Sequence, residues 1–219
     1  MNVVFIGTPE FAVPSLKCLI ESKHDVVAVL TQTDKPKGRK GKPEAPPVKN
    51  IALDAGLQVI QPENVNSEQV IEELEKLSPD VIVVVAFGQK ISDKILNLPK
   101  HKCVNIHASL LPKYRGAAPI NWAVVNGEKE TGITTIIMSN KMDAGDVIIR
   151  KSLTIGPEET AGELGNRLSR LGAETLLDSL TQIETGDAKY TQQDESLVSL
   201  APKIKKTDGL IDWNQEEEK

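Results

Sequence analysis

Short apolar runs alternate along the chain with segments whose apolar residues recur every three or four positions. The first run, NVVFI (2–6), is closed by Gly7-Thr8-Pro9, after which Phe11, Leu16, Leu19 and Ile20 fall at helical spacing. That pattern predicts strand, loop, helix. It repeats through DVVAVLT (25–31), a helix around Val48 to Ala55, LQVI (57–60), a helix from Ser67 to Leu77, and DVIVVVAF (80–87). Strands that are apolar throughout and separated by helices predict a parallel sheet covered on both faces.

After CVNI (103–106) the spacing changes. A brief helix near Ile120 to Val125 precedes two β-rich runs, GITTIIM and DVIIRKSLTI, separated only by SNKMDAGD. Strands that close in sequence most simply pair antiparallel. A long helix follows, with Leu164, Leu168, Leu171, Leu176, Leu180 and Ile183 on one side and Thr160 placed to cap it. From Asp187 onward periodicity is lost, and IKKTDGLIDWNQEEEK has an apolar patch with too few residues to build a core. The fold class expected is α/β: a Rossmann-like open, mostly parallel sheet with helices on both faces and an antiparallel addition in the second half. The first loop, Gly-Thr-Pro-Glu-Phe, lacks the further glycines that let a pyrophosphate approach the backbone, which disfavours a dinucleotide-binding dehydrogenase.

With 219 residues, 39% of them hydrophobic, the chain suffices for one large α/β domain, or one domain and a piece of a second. Cys18 and Cys103 lie far apart without a CxxC, so both are expected to be reduced core thiols, with no metal cluster. The start, MNVVFIGTPEF, has no basic region of a signal peptide, and the longest apolar run, VIVVVAF, falls well below the ~20 residues that cross a bilayer. These features predict a cytoplasmic protein that does not enter membranes. His24 and His101, in turns, are expected at the surface.

The formal net charge of -5 conceals an insert of opposite sign. Residues 34–49, DKPKGRKGKPEAPPVK, hold six cations (Lys35, Lys37, Arg39, Lys40, Lys42, Lys49) against Asp34 and Glu44, leaving 20 cations and 29 acids elsewhere. Four prolines and two glycines exclude a helix interior or a central strand. A charge run is ordinarily a solvated loop. This one is long for a strand-to-helix connection and opposes the sign of the body, so it is expected to take polyanions through phosphate contacts. It has no interleaved aromatics for base stacking.

The chemistry concentrates at NIHASLLPKYRGAAP (105–119). Asn105 and His107 stand two apart, so in a strand they face the same side, and they lie at its carboxyl end, where open α/β sheets bind ligands. The plain alternative for His107 is a buried ring satisfied by backbone. A carboxamide beside an imidazole suits acyl transfer to an amine: Asn105 donates to the oxyanion and His107 accepts or relays the proton. Such a ring needs an orienting acid. Asp143 in KMDAGD is one candidate, in a turn tightened by Ala-Gly, and Asp146 is another. No GxSxG or HExxH is present, so Ser109 reads as a ligand contact rather than a nucleophile.

NIHASLLPKYRGAAP, with MNVVFIGTPEFAVPSL at the start and KMDAGD later, resembles the folate-dependent formyltransferases over about residues 1–213, and within them those acting on methionyl-tRNA. The resemblance implies a formyltransferase fold, and transfer of a formyl group from 10-formyltetrahydrofolate to the α-amine of initiator methionyl-tRNA in translation initiation, without a metal. It implies Asn105, His107 and Asp143 as the catalytic trio, and folate contacts at Ser109, Leu110, Leu111 and Pro112, with Gln89, Lys90 and Ile91 lining the pterin pocket. It further implies that the basic insert enters the tRNA acceptor arm through Lys35, Lys37, Arg39, Lys40 and Lys42. The division expected is a catalytic domain (1–188), a linker (189–206) and the opening of a β-rich tRNA-binding domain (207–219), acting as a monomer. A sugar-nucleotide N-formyltransferase would share the Asn, His and Asp set without needing the insert. A nucleic-acid-binding module with an idle pocket is the reading outside enzymes.

Overall fold

The computed structural model describes residues 1–37 and 41–210. Arg39 and Lys40 of the insert, and 211–219 of the final segment, lie outside the described residues. In chain order the elements are β1 (Asn2–Gly7), α1 (Val13–Ile20), β2 (Asp25–Leu30), β3 (Lys35–Lys37), β4 (Lys42–Glu44), α2 (Pro47–Asp54), β5 (Val59–Ile60), α3 (Glu68–Leu77), β6 (Val81–Val85), α4 (Asp93–Leu96), β7 (Cys103–His107), β8 (Arg115–Gly116), α5 (Pro119–Val125), β9 (Glu130–Ile137), β10 (Val147–Thr154), α6 (Ala161–Thr185) and β11 (Leu200–Ala201).

Seven strands form the central sheet in the order β10-β9-β7-β6-β1-β2-β5. β5, β2, β1, β6 and β7 run parallel, and β9 and β10 extend the β7 edge antiparallel, as the sequence pattern implies. The chain builds outward from β1 to β2 and β5, then returns to β6 on β1's other side. The sheet's topological switch point therefore lies between β1 and β6.

Every residue of β6 is buried because each face of the strand meets helices. Val81, Val83 and Val85 join the layer made by α1, α2 and α6; Ile82 and Val84 join the layer made by α3 and α4. Full burial of each such side chain contributes roughly 1.5–3 kcal/mol, which is why the central strands are apolar without alternation. α6 begins at a reciprocal capping box, in which Thr160 and Glu163 satisfy each other's backbone donors. Gly172 lets α6 approach β7 closely: a Cβ there would stand 3.2 Å from Ile106 Cγ2.

Two expectations are corrected. His24 is buried, at 6% exposure, because the turn before β2 folds inward, with its Nδ1 3.4 Å from the Met1 nitrogen and its N–H donated to Ser22 Oγ. Cys18 is only half-buried, while Cys103 is fully so; burial pushes the Cys103 thiol up to about 12. His101 is half-buried. The insert forms a two-stranded antiparallel ribbon, β3 with β4, separate from the main sheet. No helix among the described residues is long and apolar enough to cross a membrane.

Candidate active site

β7 carries Asn105 and His107 to the carboxyl edge of the sheet. Val104 and Ile106 pack toward α6, so alternation puts Asn105 and His107 on the opposite face, with Ile136 and Thr134 of β9 beside them. His107 is 6% exposed, and its Nε2 lies 2.8 Å from the Tyr114 carbonyl oxygen. A carbonyl only accepts, so Nε2 carries the proton and the neutral ring presents its lone pair at Nδ1. Nδ1 stands 3.6 Å from Asp143 Oδ2, too long for a hydrogen bond but within ion-pair range once the ring is protonated. The Asn105 carboxamide is half-buried and has no hydrogen-bond partner among the described residues, leaving both its donors available at this edge.

Asp143 sits in the left-handed region at φ 50°, a conformation that costs a non-glycine residue roughly 1–3 kcal/mol and persists only where neighbours over-determine it. Its Oδ2 accepts the Gly116 N–H at 2.9 Å. Gly145 completes the turn, since a Cβ there would run into the Ile137 carbonyl oxygen. Asp146, the competing carboxylate, is exposed, and its backbone oxygen accepts the Ile137 N–H. The turn therefore brings Asp143 to the ring.

The segment after His107 is held by its own hydrogen bonds. Ser109 is fully buried and donates its hydroxyl to the Lys113 carbonyl at 2.6 Å; Thr134 Oγ1 donates to the Ser109 carbonyl and accepts the Leu111 N–H. Leu111 packs on Ile136 and Val147, ahead of a cis Leu111–Pro112 bond. Ser109 and Leu111 thus build the loop, whereas Leu110 and Pro112 line a cleft of about 350 Å³ with Tyr114 and Thr131. Burial first, then the bond to Glu128, pushes the Tyr114 hydroxyl above its ordinary range, so it stays a donor. At the switch-point side, Gln89 ties its loop to the neighbouring one by accepting the Val65 N–H and donating to the Glu63 carbonyl. Ile91 is buried and Lys90 exposed. Among the described residues no group of three or more His, Cys, Asp or Glu side chains is placed to hold a metal ion.

The family described as Formyl transferase matches residues 1–180. The methionyl-tRNA formyltransferase of Geobacter metallireducens is 52% identical over 216 residues, covering 99% of this chain and 70% of that protein. That of Alkaliphilus oremlandii is 51% identical over 215 residues, covering 98% and 69%. The chain belongs to the formyl transferase family. Among solved structures, glycinamide ribonucleotide transformylase 1 from Symbiobacterium toebii superposes with a TM-score of 0.72 at 16% identity, covering 89% of this chain and 94% of that one. The N-formyltransferase from Helicobacter canadensis gives a TM-score of 0.69 at 20% identity, covering 98% and 73%. At those identities the likeness establishes the formyl transferase fold alone.

Around this family's fold the basic ribbon is a separate appendage. Lys35 pairs with Glu44, Pro36 with Pro43 and Lys37 with Lys42 across its strands. Its base is anchored: Asp34 accepts from Lys49 Nζ and from Gln61 Nε2, both at 2.8 Å, and Lys35 Nζ donates to Gln32 Oε1. Gln32 in turn donates to the Phe87 carbonyl at 3.0 Å, in the loop that leads to Gln89.

Sequence reading missed the residues that hold the site together from a distance. Thr134, Gln193 and Ser199 carry no motif, and Arg115, although it lies within NIHASLLPKYRGAAP, has no chemistry of its own that marks it as a support. Arg115 and Gln193 are polar yet buried, at 8% and 9% exposure, and nothing in the sequence distinguishes them from surface residues.

Proposed function

We propose that this protein transfers a formyl group from 10-formyltetrahydrofolate to the α-amine of methionyl-tRNA. The observation that carries the chemistry is the His107 ring with Nε2 occupied by Tyr114 and Nδ1 turned to Asp143, beside an unengaged Asn105 carboxamide. Two relatives about half identical over nearly the whole chain, each named methionyl-tRNA formyltransferase, support the acceptor.

The acceptor nitrogen attacks the formyl carbon, a C–N bond forms, and the carbonyl electrons move onto oxygen. Asn105 donates to that oxyanion in a setting partly screened from water, where a positioned donor is typically worth about 10²–10³ in turnover. The proton shed by the acceptor nitrogen passes to Nδ1 of His107, and Asp143 stabilises the imidazolium so formed. Collapse breaks the bond to N10 of the folate, which takes the proton, leaving tetrahydrofolate and the formylated amine. The ester of an aminoacyl-tRNA withdraws electrons from the amine; free α-amines titrate at ~7.7–8.0, so a substantial fraction is already neutral at working pH.

For the donor, Asn105 and His107 at the carboxyl end of β7, with the loop that carries Gln89, Lys90 and Ile91 after the neighbouring β6, provide the edge at which the formyl group is held; Leu110 and Pro112 line the separate cleft with Tyr114 and Thr131. The basic insert, with Lys35, Lys37, Arg39, Lys40 and Lys42, supplies the cationic contact to the acceptor arm. A formylation assay supplying 10-formyltetrahydrofolate with methionyl-tRNA in one arm and an amino-sugar nucleotide in the other tests the reading. Turnover with methionyl-tRNA alone is expected; preference for the sugar, or saturable folate binding without transfer to either, overturns it.

A further inference from the structure

The stretch 191–201 lies beyond residues 1–180, which the family match covers, and its composition suggests an unstructured connector. It is instead fastened to both loops that hold the reacting groups. Thr191 bridges to Val147, and β11 pairs with β8. Ser199 accepts the Tyr114 N–H on its hydroxyl and the Arg115 N–H on its carbonyl, both at 2.9 Å. Tyr114 is the residue whose carbonyl fixes His107. Gly116 accommodates the strap because a Cβ there would stand 2.6 Å from the Ala201 oxygen.

Gln193 reaches the other partner. Its Nε2 donates to the carbonyls of Asp143 and Gly145, each at 2.8 Å, spanning the left-handed turn. Its Oε1 accepts from Arg115 Nε at 3.0 Å and Nη2 at 2.8 Å. Both protons and both lone pairs of the amide are therefore used, and the guanidinium on one side and the carbonyls on the other permit one orientation only. Arg115 also meets Glu195, but that carboxylate is 74% exposed and such a pair adds little.

From these bonds we infer that Gln193 is a positioning residue: it sets the Asp143 carboxylate against Nδ1 of His107, with Arg115 fixing its amide and the 191–201 strap delivering it. The inference rests on the proton-relay reading of Asp143 and His107. Asp143 sits in the left-handed region, which residues other than glycine adopt uncommonly, and among the described residues the hydrogen bond that aims Oδ2 comes from the Gly116 N–H, so the turn's two carbonyls are handles by which the strap fixes its position. Misplacement of a reacting group by about 1 Å costs on the order of 10²-fold.

Gln193→Glu keeps shape and the Arg115 contact while removing both donors. Single-turnover formylation by the full chain, with saturating methionyl-tRNA and a titrated formyl donor, is measured for Gln193→Glu, Asp143→Asn and the double variant. A fall in rate of about 10–100-fold is expected for Gln193→Glu with the donor's half-saturation unchanged within about threefold, and less than about threefold further loss in the Asp143→Asn background, because residues acting as one unit are not additive. Equal loss in both backgrounds, or a loss confined to donor affinity, overturns the positioning role while leaving the relay intact. Full turnover by Asp143→Asn alone overturns the relay, and the inference with it. If Gln193→Glu does not fold, Gln193→Asn, which keeps the amide but withdraws it by one methylene, is read in the same two backgrounds by the same criteria.

Discussion

The corner around His107 and the ribbon of β3 and β4 both project from the carboxyl edge of the sheet, and they are built on opposite principles. In the corner, polar groups are buried and held by partners far away in sequence: Tyr114 by Ser199, Asp143 by Gly116 and Gln193. The ribbon has cross-strand partners only nine residues away or nearer, and its anchors lie at its base, where Asp34 meets Lys49 and Gln61. Proton transfer needs fixed geometry, because its rate depends on sub-ångström placement. Capture of a polyanion needs charge and reach, since phosphate contacts act through counterion release and tolerate looseness.

The sharpest way to break that contrast is to remove one group from each region. His107→Ala or Asn105→Ala should lower turnover about 10²–10⁴-fold with donor and tRNA binding retained, since each acts on the transition state. Circular dichroism alongside single-turnover rates checks it; unfolding of both variants would instead make these residues structural. Next in size is Gly145→Ala. A Cβ facing the Ile137 carbonyl must displace the turn, and overpacking of this kind costs roughly 1–3 kcal/mol, visible as a lower urea midpoint together with slower turnover. Equal stability of the variant would show that the corner is looser than its bonds imply.

The same contrast explains what was legible in the sequence. Val81 to Val85 read as a central strand because burial on both faces leaves no room for alternation, and Thr160 read as a cap because capping is local chemistry. Asn105 and His107 were placed together by strand periodicity, a two-residue property. Residue spacing alone leaves Asp146 open beside Asp143; the family resemblance favours Asp143, and the turn supplies the physical reason, since one is folded against the ring and the other is exposed. Gln193 and Arg115 were invisible because their bonds span 48 to 78 residues and depend on which loops meet. The ribbon was hidden by its prolines, which are excluded from central strands but tolerated where both strands are edges. His24 was misplaced because a turn's direction, unlike its existence, is set by packing.

A smaller effect should follow from the ribbon's charge. Replacing Arg39 and Lys40 with Ala should raise the half-saturating methionyl-tRNA concentration, and the plot of log affinity against log salt should flatten by ~0.7–0.9 for each phosphate that is no longer neutralised. Rate at saturating tRNA and donor binding should stay within about threefold. A comparable drop in donor affinity would mean that the ribbon and the corner are not separable, with the Gln32 bond to Phe87 as the physical link between them.

The smallest expected effect concerns the ribbon's anchor. Hydrogen bonds from Gln61 first, then from Lys49, hold the Asp34 carboxyl below its ordinary range. A carboxyl depressed in the folded state binds fewer protons there than in the unfolded chain, so its contribution is fully present above the ordinary value and disappears as pH falls through the lower folded one. Amide exchange of β3 and β4, corrected for its intrinsic pH dependence, should therefore be flat from neutrality down to the ordinary carboxylate range and quicken only below it. Asp34→Asn, which keeps an acceptor but no charge, should give the acid-state protection at every pH. If the ribbon instead loosens between about pH 7 and 5, well above the ordinary carboxylate range, Asp34 is not its anchor, and the base must be held by a group that titrates higher.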